Sequence, residues 1–160
     1  MTTPFPFTSG DILTAANLNA IGTWDSSSWT TTVTNITVGN GSETALFTRI
    51  GDGTDVGLVA YWYELEWGST TTITGTPYLY FPVQAVNSRQ GSMSSFCFFE
   101  DDSGADYYGR LFRSSSLRGS LRVFDSSGTY TTATNITNTV PFTWATGDRI
   151  VASGYYRPGV

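Results

Sequence analysis

The chain has 160 residues, of which 39% are hydrophobic, 15% aromatic and only 13% charged, and its formal net charge is −5. This length suits one domain with a short appendage, and the aromatic content excludes a disordered chain. The sequence contains no His and no Lys, which excludes His-based catalytic triads, His metal sites and Schiff-base lysines. We therefore expect no catalytic residue, no metal site and no cofactor.

Charge and hydropathy also restrict the partners. The eight Arg residues are scattered, so no basic stripe exists for a phosphate backbone, and we expect no nucleic-acid partner. No apolar run reaches the roughly 20 residues that span a bilayer, and residues 1–10 lack the basic and apolar regions of a signal peptide. We expect no membrane association. The single thiol, Cys97, is interpreted as a small buried hydrophobic group.

Residues 1–28 are predicted to form an N-terminal arm with one short helix. Thr14 suits the N-cap position and Gly22 suits the residue that ends the helix. A helix of about two turns does not persist alone, so its apolar side chains need a surface to bury against. We expect this apolar set to anchor the chain to a partner, and it consists of Ile12, Leu13, Leu18 and Ile21. The alternative is that the same residues cover one end of their own β-domain.

From Trp29 onward the sequence has a β pattern, so residues 29–160 are assigned to a β-domain. Residues 33–38 are Thr-rich and suit an edge strand, and the Gly pairs in 39–41 and 51–53 predict hairpin turns. The most regular strand covers residues 56–67. Strand alternation places one apolar set on the core face, and this set consists of Val59, Tyr61, Tyr63, Leu65 and Trp67. The opposite face becomes acidic at Glu64 and Glu66.

Further strands are predicted at residues 78–83 and 93–99. In the second, Phe96 and Phe98 alternate with Cys97 and Phe99, so both faces of the strand are apolar. A strand that is apolar on both faces is covered on both faces. One cover is the core of the domain, and we expect the other, at Phe96 and Phe98, to be a second subunit.

The acidic residues 100–106 form a turn in this interpretation, because their spacing does not match a calcium-binding loop. Residues 107–113 and 117–124 follow as a strand pair, with turn signals again at 125–128. In the second strand of the pair, the inward set is Leu117, Gly119, Leu121 and Val123, and the outward set is Arg118, Ser120 and Arg122. The segment 31–37 is echoed at 131–137, which indicates two similar edge strands or coincidence in a Thr-rich chain.

Gly147 and Asp148 predict a turn that leads into a closing strand. In that strand Ile150, Ala152 and Tyr156 share one face. Altogether the turn signals recur about every 10 residues and indicate roughly eight or nine strands, which is typical of an antiparallel β-sandwich. The fold class is therefore mostly β, with a short helix before the sandwich.

Two kinds of functional site can be derived from the residue types. Glu64 and Glu66 are a carboxylate pair of the kind that glycosidases use, although two carboxylates at this spacing are more often a solvated strand edge. Exposed aromatic rings can instead stack on sugars. The candidate glycan contacts are Trp62, Trp67, Tyr107 and Tyr108.

The sequence also resembles a known class of proteins. Residues 7–19, which include Ser9-Gly10-Asp11, resemble the N-terminal segment of phage tail-fibre and other virion proteins. The remainder resembles a β-sandwich module of phage minor tail and decoration proteins. The matching motifs are Phe47-Thr48-Arg49-Ile50-Gly51, Leu79-Tyr80-Phe81-Pro82-Val83, Tyr107-Tyr108-Gly109, Pro141-Phe142-Thr143-Trp144-Ala145-Thr146-Gly147-Asp148 and Ser153-Gly154-Tyr155-Tyr156.

This resemblance implies a jelly-roll-like fold, a homotrimer and a location on the exterior of the virion, after synthesis in the cytoplasm of the bacterial host. It implies a non-enzymatic structural protein whose partners are the major capsid or tail proteins. The chain is short and has no shaft segment, which favours capsid decoration over a minor tail protein. The alternative function is a glycan-binding module that attaches to the host envelope.

Overall fold

The computed structural model describes residue 29 and residues 33–51, 57–86 and 93–159. Within these ranges the chain forms strands and no helix. The nine strands are β1 (Val33–Thr37), β2 (Ser42–Gly51), β3 (Gly57–Glu66), β4 (Thr72–Tyr80), β5 (Met93–Glu100), β6 (Tyr107–Arg113), β7 (Arg118–Asp125), β8 (Thr132–Asn135) and β9 (Arg149–Tyr156). The predicted arm, with Ile12, Leu13, Leu18 and Ile21, lies outside the described residues.

The strands form one antiparallel sheet in the order β1-β4-β7-β6-β5-β9-β3-β2, and β8 pairs with β7 beside β4. The sheet curls so that both of its halves contribute to a single core. Ile36, Leu79 and Leu121 come from one half, and Phe47 and Tyr61 come from the other. The predicted fold class, a mostly β antiparallel domain of sandwich type, is confirmed.

Strand alternation correctly predicted the core face of β3. Val59, Tyr63 and Leu65 are fully buried, and Tyr61 is 1% exposed. In β9, which pairs with β3, Ile150, Ala152 and Tyr156 are buried as expected. Trp29 packs edge-on against Phe47 and Tyr61 at ring-centroid distances of 6.3 and 6.2 Å, and this contact ties the first described residue to the core.

The prediction of a hairpin at residues 39–41 was wrong. The flanking strands do not pair with each other, since β1 pairs with β4 and β2 pairs with β3. The chain instead crosses from one edge of the sheet to the other, and Gly39 makes the bend with a positive φ of 60°. Asn40 holds this corner because its carboxamide oxygen accepts a 2.9 Å hydrogen bond from the backbone N–H of Thr70.

The other predicted turns connect strands that do pair. Residues 101–106 join β5 to β6, and residues 126–131 join β7 to β8. The predicted turn at 51–53 lies between the paired strands β2 and β3, and residues 52 and 53 of it are outside the described residues. The two echoed segments both contain short strands, β1 and β8, each paired on one side. Ile36 and Ile136 occupy the same place in the echo, and both are buried.

Two residues of the predicted strand 117–124 differ from the expected alternation. Leu117 is 52% exposed, because it lies in the turn before the strand begins at Arg118. Ser120 is 1% exposed although it shares the face of the two neighbouring arginines. Its hydroxyl donates to the carbonyl oxygen of Phe112 at 3.4 Å and accepts from Nε of Arg122 at 3.2 Å, so these longer side chains cover it.

The predicted turn at Gly147 and Asp148 is present, and the Asp148 side chain organises it. Gly147 has a φ of 99°. The buried Asp148 carboxylate accepts backbone hydrogen bonds from Ala145 at 2.6 Å and from Asp102 at 3.0 Å. The backbone of Trp67 bonds to both turn residues. One side chain therefore joins the start of β9 to the turn that follows β5.

Candidate binding face

The outward side of the sheet carries a concentrated set of exposed apolar side chains. We define the outer face as the side chains of β2, β3, β5, β6, β7 and β9 that point away from the core. Six of the large hydrophobic residues that are exposed in the described part of the chain belong to it: Leu58, Trp62, Phe96, Tyr108, Phe124 and Tyr155. Their exposed fractions run from 37% to 54%. Contiguous exposed apolar surface marks a site of interaction.

Strand register brings these rings together in rows. Trp62 on β3 is opposite Ser153 on β9, and Ser153 is opposite Phe96 on β5. In the next row Phe98 is opposite Tyr108 on β6. The Tyr108 ring lies 5.7 Å from the Phe96 ring and 5.6 Å from the Phe98 ring, between centroids. Phe96, Phe98 and Tyr108 therefore form one aromatic cluster, and Trp62 lies in the row of Phe96 with Ser153 between them.

The two apolar faces predicted for β5 are both present. Cys97 and Phe99 are fully buried in the core, whereas Phe96 is 47% exposed and Phe98 is partly buried on the outer face. Burial raises the pKa of the Cys97 thiol, so this thiol is protonated and unreactive at neutral pH. The assignment of Phe96 and Phe98 to a subunit interface stays a prediction.

The four candidate glycan contacts divide between the two sides of the sheet. Trp62 and Tyr108 lie on the outer face, with exposed fractions of 38% and 54%. Trp67 is only 4% exposed and stacks on Trp144 at 4.7 Å between ring centroids. Trp67 therefore cannot stack on a ligand, because strand alternation from Val59 places its side chain on the core side. Trp67 is not a glycan contact.

Tyr107 has a third environment. It is half-buried and packs on Phe142 at 5.6 Å between ring centroids. Its side chain also lines an open groove of about 450 Å³ between β6, β7, β8 and the loop at Val140 and Pro141. Strand alternation places Tyr107 on the core side of β6, with the buried Gly109 and Leu111, whereas Tyr108 lies on the outer face. Tyr107 is therefore not part of the same surface.

One end of the outer face is acidic. Arg149 binds two glutamates there: its Nε lies 2.8 Å from the Glu100 carboxylate, and its Nη1 lies 3.5 Å from the Glu64 carboxylate. Glu66 is directly opposite Arg149 in the strand register. These contacts favour the interpretation of Glu64 and Glu66 as a strand-edge charge cluster, because Glu64 is held by an ion pair.

The part of the outer face on β6 and β7 is rich in arginine. Arg110 on β6 is directly opposite Arg122 on β7. Both guanidinium groups lie over the ring of Phe112, with carbon-to-centroid distances of 5.1 Å for Arg110 and 3.8 Å for Arg122. Arg118 lies over Tyr78 at 4.1 Å in the same way. Inspection of the sequence did not identify this cluster, since it depends on which strands pair.

The described residues contain no group of three or more acidic or Cys side chains placed to hold a metal ion. No helix in the described ranges has the length and hydrophobicity needed to cross a membrane.

No protein-family model, no curated protein and no solved structure matches the chain. The outer face is thus the feature from which a function can be argued.

Proposed function

We propose that this chain is a non-enzymatic structural protein on the exterior of a bacteriophage particle, first as a capsid decoration protein and second as a minor tail protein. The phage assignment rests on the sequence resemblance. The assembly role rests on one observation, the aromatic outer face around Phe96 and Phe98. A protein that exposes such a face needs a partner to cover it.

In this proposal the domain is a homotrimer made in the host cytoplasm, and Phe96 and Phe98 lie between subunits. Aromatic side chains at the centre of an interface contribute most of its binding energy. The apolar residues Ile12, Leu13 and Leu18 of each arm, with Ile21, then dock on a capsid or tail protein. Three linked arms bind more tightly than one, because the second and third bind at a high effective concentration.

Phe96→Asp is expected to dissociate the trimer, because it places a charge in an apolar contact. Loss of a central aromatic contact costs about 2 kcal/mol or more. Light scattering should show a mass of about 52 kDa for the original protein, three times 17.4 kDa, and the monomer mass for the variant. Tyr130→Asp is the matched control, because Tyr130 is 81% exposed in the turn between β7 and β8.

The particle assignment is tested separately by co-sedimentation with the phage that encodes the protein. Deletion of residues 1–22 is expected to leave a folded trimer that no longer sediments with particles. Leu18→Asp should weaken the association without abolishing it. A truncated protein that still sediments would place the anchor on the β-domain, and an original protein that never sediments would refute the virion assignment.

A second candidate function is adhesion to a glycan of the host envelope. The observation that favours it is the placement of Trp62 and Tyr108 on one exposed surface, since flat aromatic rings stack on sugars. Tyr108→Ala should then keep the fold and particle association but reduce adsorption to host cells. Normal adsorption by particles that lack the whole protein would exclude this function.

A further inference from the structure

Two arginines of the outer face, Arg110 on β6 and Arg122 on β7, lie directly opposite each other. Like charges directly opposite each other in an antiparallel pair destabilise a sheet. Arg110 and Arg122 occupy such positions in a chain whose formal net charge is −5. The fold therefore concentrates positive charge at one place while the molecule as a whole is acidic.

No carboxylate within the described ranges neutralises this pair. Glu64 and Glu100 of the same face form ion pairs with Arg149 on β9 instead. Arg122 donates from Nε to the Ser120 hydroxyl at 3.2 Å, and Arg110 is exposed. The Phe112 ring orders both guanidinium groups from one side. Stacking of this kind leaves the N–H groups at the edge of a guanidinium available to an anion.

We propose that Arg110 and Arg122 bind the anionic group of an acidic glycan, such as the carboxylate of a uronic acid. The two guanidinium groups present several N–H donors to one anion, and an anion between them removes the like-charge repulsion. Tyr108 lies two residues from Arg110 on the same face of β6 and is 54% exposed. Its ring supplies the stacking surface for the sugar beside the charged group.

This inference rests on the second candidate function, glycan adhesion, and names its ligand class. A nucleic acid also combines anions with stacking bases, but its backbone requires a continuous basic surface. Glu64, Glu66 and Glu100 lie on the same face as the arginines and interrupt its positive charge. A localised basic site of this kind favours a ligand that presents one anionic group to it over a continuous phosphate chain.

Isothermal titration calorimetry of the full chain with tetragalacturonate tests the proposal. We expect binding to the acid form and little binding to its methyl ester, which has the same sugars without the charges. Arg110→Gln should weaken the affinity about tenfold or more, since hydrogen bonds to charged groups are the strong ones. Arg157→Gln removes the same charge from the tail after β9 and should leave the affinity unchanged.

A second readout separates loss of binding from loss of folding. Without ligand, Arg110→Gln should raise the melting temperature by about 1 to 2 °C, because it removes the cross-strand repulsion. A variant that is at least as stable as the original protein and binds less well supports the site. A variant that is less stable, or that binds equally well, overturns it.

Three other outcomes are also decisive. Equal binding of the acid and the ester would overturn the charge recognition and keep glycan adhesion. Absence of binding to both would overturn the charged site, and the adsorption experiment with Tyr108→Ala would then decide whether glycan adhesion survives. Tighter binding of a thymidine decanucleotide than of the uronate would assign the arginines to a nucleic acid instead.

Discussion

Replacing Asp148 with Ala is expected to lower the free energy of unfolding by about 4 kcal/mol, because two backbone donors lose their acceptor. The Asp148 carboxylate is 1% exposed and accepts hydrogen bonds from the N–H groups of Ala145 and Asp102. Both bonds are partly buried, and a hydrogen bond to a charged group contributes about 1.5–3 kcal/mol.

Urea denaturation followed by tryptophan fluorescence measures this loss as a lower midpoint with an unchanged slope. Asp148→Asn keeps one oxygen acceptor and should lose less stability than Asp148→Ala. Asp106→Ala, an exposed change in the turn that contains Asp102, should leave the midpoint unchanged. A loss below about 1 kcal/mol in Asp148→Ala would show that the turn is held by its backbone contacts alone.

Strong alkaline destabilisation is the second large effect. Burial raises the pKa of Tyr61, Tyr63 and Tyr156 above the ordinary value of 10.0. The folded state therefore holds these protons at a pH where the unfolded chain has lost them. The contribution of these tyrosines to stability is constant below about pH 10. Above that pH the free energy of unfolding falls by about 1.4 kcal/mol per pH unit for each tyrosine, or about 4 kcal/mol per pH unit for all three.

Urea midpoints measured from pH 9 to pH 11.5 test this dependence. Tyr63→Phe should reduce the slope by about a quarter, since it removes one of four buried groups, the three tyrosines and Cys97. Tyr130→Phe alters an exposed ring and should leave the slope unchanged. Burial of Cys97 raises its pKa as well, so its thiol adds to the loss in the same direction. A stability that does not change up to pH 11.5 would contradict the burial of these hydroxyl groups.

The two candidate functions assign different occupants to the outer face. In the assembly proposal a subunit covers Phe96 and Phe98. In the adhesion proposal a glycan lies on Tyr108 beside Arg110. The mass of the protein in solution tests the first occupant, and calorimetry tests the second. Because the Tyr108 ring packs on Phe96 and Phe98, the two occupants share one surface.

Much of the fold could be predicted because strand alternation is a local property. A side chain in a strand lies on the same face as the side chain two residues away. Val59, Tyr61 and Tyr63 could therefore be assigned to the core without knowledge of the partner strands. The same rule identified both faces of β5 and the core side of β9. It failed at Leu117, where the strand begins one residue later.

Strand pairing, in contrast, is decided by the tertiary structure. Residues 39–41 were predicted to form a hairpin because their residue types favour a turn. A turn does not decide which strands pair, and β1 and β2 lie at opposite edges of the sheet. Strand alternation had already placed Trp67 on the core face, but the ring that it stacks on, Trp144, comes from a distant part of the chain. Contacts between residues far apart in sequence depend on the register and order of all the strands.

The sequence by itself determined the fold class, the core faces of the long strands and the turn at Gly147. Composition and a two-residue period suffice for these properties. Only the tertiary structure placed Arg110 opposite Arg122 and joined Trp62, Phe96 and Tyr108 into one surface. An outward residue is recognisable from its own strand, but a binding surface is made by neighbours that several strands supply, and their order is set by packing of the whole core.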